Sequence, residues 1–178
     1  MPFAPTGYYL YLEMKPTHVN CQVPSWYRVP NDIKQLLLAA VVSWEDSDRS
    51  EQFILQALAH PETTIDVLVS AYRYFFYQPN HAMARRLAMQ VMEEIKQAES
   101  LPDEWEELQP ILEERLLDPP IRLYLSAYTA LGVMLARWGA FQAALEICTR
   151  IQSIDEKNEF GAGVIVKILT SEDNDVPL

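Results

Sequence analysis

The sequence predicts an all-α protein. From Asn31 onward, apolar residues recur at the three- and four-residue spacing of amphipathic helices. Proline and turn residues divide this part of the chain into segments of helix length. The whole chain of 178 residues contains 5 glycines, and none stands in the glycine-rich runs that hold phosphates in nucleotide-binding sites. Length and composition are those of one globular domain with its own hydrophobic core.

The first thirty residues are predicted to form a non-helical arm. Five of the 12 prolines lie there, and each removes a backbone donor and disfavours helix at the residue before it. Residues 8–12 read Tyr-Tyr-Leu-Tyr-Leu, which suits a short strand or an extended strap packed on the domain. The alternative is an arm that binds a partner or forms a symmetric homodimer, because so many aromatic side chains need to be covered.

Eight helices are predicted after the arm. Periodicity places them near residues 32–44, 50–59, 64–77, 81–98, 103–116, 121–138, 141–153 and 158–169. Five of them follow candidate N-cap residues, namely Asn31, Ser47 or Asp48, Thr63, Asn80 and Asp118. The predicted organisation is therefore an arm over 1–30, one helical domain over 31–170 and a polar tail over 171–178.

One pair of predicted helices carries a specific pattern. It reads Tyr128-x2-Leu131-Gly132-x2-Leu135, then Gly139 and Phe141 at the turn, then Ala144-x3-Cys148 and Ile151. This pattern resembles a tetratricopeptide repeat, in which small residues at the positions of Gly132 and Ala144 let two antiparallel helices approach closely. The sequence departs from the repeat at Leu135 and Cys148, where aromatic residues usually stand.

Two weaker units resemble the same repeat. One contains Leu68-x2-Ala71-Tyr72-x2-Phe75 followed by Ala84-x3-Ala88, and an eroded one begins near Lys34. The family period of about 34 residues separates Ser50 from Ala84, and an extra helix over 103–116 interrupts the array later. The resemblance implies three hairpins stacked as a short right-handed solenoid, closed by the last helix. Unrelated antiparallel hairpins in a helical bundle are the alternative.

Charge and motif content exclude several function classes. The net charge of −11 disfavours nucleic acid and anionic membranes as partners, and no apolar run approaches the roughly 18 residues that span a bilayer. The 3 histidines and 2 cysteines lack metal-ligand spacing, and no nucleophile motif is present. We expect a cytoplasmic protein without a metal or cofactor and without catalytic activity.

The resemblance also implies a binding groove, lined by the first helix of each hairpin and holding a segment of another protein. Carried onto this sequence, the groove positions are Gln35, Asp66, Arg73, Phe76, Tyr77, Thr129, Val133 and Arg137. Arginine and aromatic residues are typical of binding hot spots, but the adjacent Phe76 and Tyr77 cannot both face the groove. The hairpins are expected to pack through Ala71, Ala84, Tyr128, Leu131, Gly132, Gly139, Phe141 and Ala144.

We therefore predict a non-catalytic adaptor or chaperone-like protein of a bacterium, which binds a peptide or helical segment of a partner protein. One alternative is a type III secretion-like chaperone for exported proteins, which is similar in size, acidity and short array. Another is an accessory assembly or regulatory subunit of an enzyme complex that makes contact through the arm. The acidic helix over 103–116 is interpreted as a solvated face, or alternatively as a surface that steers a basic partner.

Overall fold

The computed structural model describes residues 29–78 and 80–171. The helices in this part are α1 Asn31–Val42, α2 Ser47–Leu58, α3 Ile65–Tyr77, α4 His81–Glu99, α5 Trp105–Glu114, α6 Pro119–Arg137, α7 Phe141–Ile154 and α8 Ala162–Ser171. The described residues contain no strand, so the predicted all-α class is confirmed for them. The predicted arm, apart from its last two residues, and the predicted tail after Ser171 lie outside the described residues.

The chain divides into two compact units, one ending at Val67 and the other beginning at Leu68. No feature of the sequence marks this division, because α3 runs through it without a break. In the first unit α1 packs against α2. Ile33 and Leu37 of α1 and Ile54 of α2 are buried, and they occupy the apolar face that the periodicity predicts for each helix.

Two side-chain contacts fasten α1 at its two ends. Ser50 is fully buried, and its Oγ donates a hydrogen bond of 2.7 Å to the carbonyl of Ala40 in the last turn of α1, where helix carbonyls lack an intrahelical partner. At the start of α1, Nε2 of His60 lies 2.8 Å from Oδ2 of Asp32. The backbone N–H of Ile33, together with His60, lowers the pKa of Asp32 below its ordinary value.

In the second unit α6 and α7 each contact three other helices. Helix α6 packs against α4, α7 and α8, while α7 also contacts α5 and α8. The buried side chains of α6 form much of the core of the unit, and those that are completely inaccessible include Ile121, Leu125 and Met134. The contact between α4 and α6 joins two of the predicted hairpins. Their stacking as a right-handed solenoid remains a prediction.

Two helix boundaries differ from the predicted ones for a local reason. α2 begins at Ser47 rather than residue 50, because the carboxylate of Asp46 accepts a hydrogen bond of 3.1 Å from the N–H of Arg49 and caps the helix. α8 begins at Ala162 rather than near residue 158. The buried carboxylate of Asp155 accepts from the N–H groups of residues 159 and 160, so these groups are engaged in a loop instead of a helix.

Candidate functional site

The two helices of the best-matching repeat approach each other closely at Gly132. A Cβ atom at this position would lie 2.8 Å from Sγ of Cys148 and 3.1 Å from Cγ2 of Ile147. The second helix therefore packs directly on the backbone of the first. Cys148 is completely buried, and burial raises the pKa of its thiol to about 11. The thiol is protonated at neutral pH and serves packing, since a nucleophilic cysteine needs a lowered pKa.

The other positions expected to pack the hairpins separate into buried and exposed ones. Leu131 is partly buried, and the fully packed members are Ala71, Ala84, Tyr128 and Ala144. Gly139 adopts φ +80° in the turn between α6 and α7, a conformation that favours glycine. Phe141, the first residue of α7, is 51% exposed at the turn end of the hairpin, and its role in packing stays a prediction.

Three of the predicted groove residues meet where α3 and α6 end. The guanidinium of Arg137 lies over the ring of Phe76, 4.6 Å from its centroid, and Nη1 of Arg137 donates a hydrogen bond of 3.2 Å to the carbonyl of Phe76. The ring of Tyr77 packs edge-on against that of Phe76, with 5.2 Å between centroids. Tyr77 is 56% exposed, so this cluster presents aromatic surface and a cation to solvent.

Trp138 extends this cluster to the first turns of α4. Its ring centroid lies 6.5 Å from that of His81, and the guanidinium of Arg85 lies 5.9 Å from the centroid of the same ring. Trp138 is 41% exposed. We call this set of six residues the arginine–aromatic patch; its members are Phe76, Tyr77, His81, Arg85, Arg137 and Trp138. The patch lies wholly in the second unit.

Four other residues predicted for the groove are divided between the two units. Arg73 is exposed on α3, one turn before the patch, and Val133 is half-buried on α6, one turn before Arg137. Gln35, which is exposed, and Asp66, which is partly buried, belong to the first unit. Their place in a common groove with the second unit stays a prediction.

Thr129 is a correction to the predicted groove. It is buried, with 7% of its surface exposed, and its Oγ1 donates a hydrogen bond of 2.9 Å to the carbonyl of Leu125 on the same helix. The hydroxyl is therefore satisfied inside the protein and is not available to a partner. The repeat pattern assigned it to a surface because the pattern does not show how closely the neighbouring helices cover α6.

The two stretches of chain that carry the patch are free of acidic residues. Residues 67–92 and 119–145 contain no aspartate or glutamate, so all 25 acidic residues of the chain lie elsewhere. The same two stretches contain five arginines. They cover most of α3, the first half of α4, all of α6 and the start of α7. This segregation is visible in the sequence and is the signal that could have pointed to Arg85 and Trp138.

The arginines of the patch differ from three other arginines of the second unit in their partners. Within the described residues, neither Arg85 nor Arg137 forms an ion pair with a carboxylate. Other guanidinium groups of this unit do, namely those of Arg115, Arg122 and Arg150. The patch therefore keeps uncompensated positive charge beside exposed aromatic rings, on a chain whose net charge is −11.

Acidic helix α5 packs as its apolar stripe predicts. Leu108 and Leu112 are buried, and the guanidinium of Arg150 on α7 lies 5.1 Å from the ring centroid of Trp105. The exposed carboxylates of this helix are those of Glu106, Glu107, Glu113 and Glu114. This arrangement fits a solvated acidic face outside the patch.

Neither a group of metal ligands nor a membrane-spanning helix occurs among the described residues. In residues 29–78 and 80–171, no three histidine, cysteine or acidic side chains are grouped so that they could hold a metal ion. None of the helices in that part combines the length and the apolar character needed to cross a bilayer.

Comparison with known proteins finds one curated relative, described as "Uncharacterized 19.8 kDa protein in nifW 5'region" of Azotobacter chroococcum mcd 1. The two sequences are 26% identical over 131 residues, which cover 71% of this chain and 73% of the relative. No family model matches the chain, and no solved structure is significantly similar to it. The likeness to tetratricopeptide repeats thus rests on the residues of this chain alone.

Proposed function

We propose that the protein is a non-catalytic adaptor or chaperone-like protein that binds a segment of a partner protein across α3 and α6. The arginine–aromatic patch carries this proposal. Arg137 of one predicted repeat stacks on Phe76 of another, and the exposed Tyr77 and Trp138 lie beside them. Arginine, tyrosine and tryptophan dominate the energy of protein interfaces, because they combine a large contact area with hydrogen-bond donors.

The spacing of the side chains suits an elongated ligand. On α3, the exposed Arg73 and Tyr77 are four positions apart, so these two side chains lie along one side of the helix. On α6, Val133 precedes Arg137 by four positions. The contact between Arg137 and Phe76 joins the two rows, and an extended or helical segment lying across them contacts both.

The test compares two double variants that change the charge equally. Arg73→Glu/Arg137→Glu alters the proposed binding surface, whereas Arg49→Glu/Lys157→Glu alters two exposed cations outside residues 67–92 and 119–145, the first of which lies over the ring of Phe53. Each tagged full chain is used to capture proteins from a lysate of the native organism. We expect one stoichiometric partner that the wild type and the control retain and that Arg73→Glu/Arg137→Glu loses. The three chains should have equal circular dichroism spectra and melting temperatures. A partner that all three chains retain would place the binding site elsewhere.

A second candidate is an accessory assembly or regulatory subunit of an enzyme complex. The Azotobacter relative is described by its position in the nifW 5' region, which makes the nifW product a defined protein to test. Its binding is measured with the full chain, with a chain lacking residues 1–28 and with Arg73→Glu/Arg137→Glu. Binding that needs only residues 1–28 supports the second candidate, and binding that needs only the two arginines supports the first.

A further inference from the structure

We propose that the patch selects an acidic segment that also carries an aromatic or aliphatic anchor. The carboxylates of the segment pair with Arg85 and Arg137, and the anchor packs against Tyr77 and Trp138. This inference rests on the proposed function, because it names the chemistry of the segment that the protein binds.

The two arginines are held in place without being neutralised. Arg137 uses Nη1 for the carbonyl of Phe76, and its other N–H donors have no partner in the described part of the chain. Arg85 contacts only the ring of Trp138 there. A guanidinium offers five donors in a planar fork that matches a carboxylate, and stacking on a ring restricts its motion before a ligand arrives. Both groups are thus prepared for charge-assisted hydrogen bonds.

The distribution of charge over the chain favours an acidic ligand at this place. Because residues 67–92 and 119–145 contain arginines and no carboxylates, these two stretches carry a net positive charge, while every acidic side chain of the chain lies outside them. Complementary charge guides a ligand to the matching surface and like charge rejects it elsewhere. A basic segment is attracted instead to the exposed carboxylates of α5.

The apolar part of the ligand is indicated by the exposed rings. Tyr77, Trp138 and Phe141 are 56%, 41% and 51% exposed, and the last two flank the turn at Gly139. Arginine pairs on an open surface are worth little, since water competes for them. An anchor that excludes water from the arginines adds apolar burial and strengthens their pairing with carboxylates. Both features are therefore required in one ligand.

The test uses a display library of random peptides, selected on the immobilised full chain. We expect recovered peptides to be enriched in aspartate and glutamate together with phenylalanine, tryptophan or leucine. A recovered peptide is then synthesised in three forms: unchanged, with lysine for each acidic residue, and with serine for each apolar residue. Both altered forms should bind at least about tenfold more weakly. Arg85→Glu/Arg137→Glu should weaken binding of the unchanged peptide by a similar factor, whereas Arg49→Glu/Lys157→Glu, which changes exposed cations outside residues 67–92 and 119–145, should leave it unaltered.

The outcomes separate this inference from the proposed function. Recovery of basic or uncharged peptides, of no peptide, or of acidic peptides that bind Arg85→Glu/Arg137→Glu normally overturns the inference. If a protein is nevertheless captured in a manner that depends on Arg73 and Arg137, the proposed function stands and only the acidic chemistry is wrong. If acidic peptides are recovered only on a chain that lacks residues 172–178, which include three acidic residues, the chain itself supplies the occupant, and the inference of a partner segment is overturned.

Discussion

Gly132→Ala is expected to destabilise the protein, although alanine is the better helix former. The new Cβ would lie 2.8 Å from Sγ of Cys148 and 3.1 Å from Cγ2 of Ile147. Both distances are shorter than ordinary van der Waals contacts, and Cys148 is completely buried. Either α7 moves away from α6 or the thiol rotates into space that other core atoms occupy.

Two opposing contributions determine how much Gly132→Ala changes the free energy of unfolding. Helix propensity favours alanine over glycine by about 1 kcal/mol. Overpacking of a core costs about 1–3 kcal/mol, and the upper half of that range applies here because two side chains, not one, are approached too closely. The net loss is about 1–2 kcal/mol, which for a chain of this length lowers the melting temperature by about 2–8 °C.

Urea unfolding measures this loss, and the midpoint should fall while the m-value stays constant. The matched control is Gly132→Ala/Cys148→Ala, which removes Sγ of Cys148 and with it the shorter of the two contacts. The double variant should be less destabilised than the sum of the two single variants, because the residues are in contact. A higher midpoint for Gly132→Ala, or strict additivity in the double variant, would refute the close approach of α6 and α7.

Three further predictions concern buried or paired polar groups. Ser50→Ala should lower the free energy of unfolding by about 1–2 kcal/mol, because the carbonyl of Ala40 loses its buried donor; an unchanged urea midpoint would contradict this. Asp155→Ala should lower it by about 1.5–3 kcal/mol, because two loop N–H groups lose a charged acceptor; thermal melting followed by circular dichroism detects the change, and an unaltered melting temperature would speak against it. The pKa of Asp32 is lowered in the folded state, first by the N–H of Ile33 and then by His60. The carboxylate of Asp32 therefore stabilises the folded protein fully above the pKa that it has in the unfolded chain. This stabilisation is lost as the pH falls through the lower pKa that it has in the folded protein. In a plot of the free energy of unfolding against pH, the loss of stability at acid pH should be smaller for Asp32→Asn than for the wild type. An identical loss in the two proteins would count against the contact.

The helices were predictable where turn chemistry acts locally. The predicted end at Tyr77 and start at His81 coincide with the observed ones, because Asn80 caps α4 by accepting a hydrogen bond from the N–H of Met83. The start of α8 was not predictable in this way. It depends on the buried carboxylate of Asp155, whose partners four and five residues later are not distinguished by residue type.

The candidate site was predictable in part. The likeness to a repeat family selected Phe76, Tyr77 and Arg137, because it assigns first helices to the groove. It missed Arg85 and Trp138, since α4 is a second helix in that pattern and Trp138 follows the end of α6. Periodicity gives the direction of a side chain on its own helix, but not which neighbour covers it. Burial and cation–π contacts depend on the packing of distant segments.

The two uses of arginine in the second unit explain how an acidic protein can bind an acidic segment. Arg115 and Arg122 join separate segments through carboxylates, and those charges are cancelled inside the protein. Arg85 and Arg137 lie over aromatic rings, and a ring attracts a cation without removing its net charge. At physiological ionic strength, charges further apart than about 8 Å are largely screened. The net charge of −11 therefore repels a docked segment only weakly. The two guanidinium groups that contact the segment are not screened in this way, and they attract its carboxylates. In the proposed binding mode, selectivity comes from direct contact with the patch, and we expect that an acidic segment without an apolar anchor is not retained.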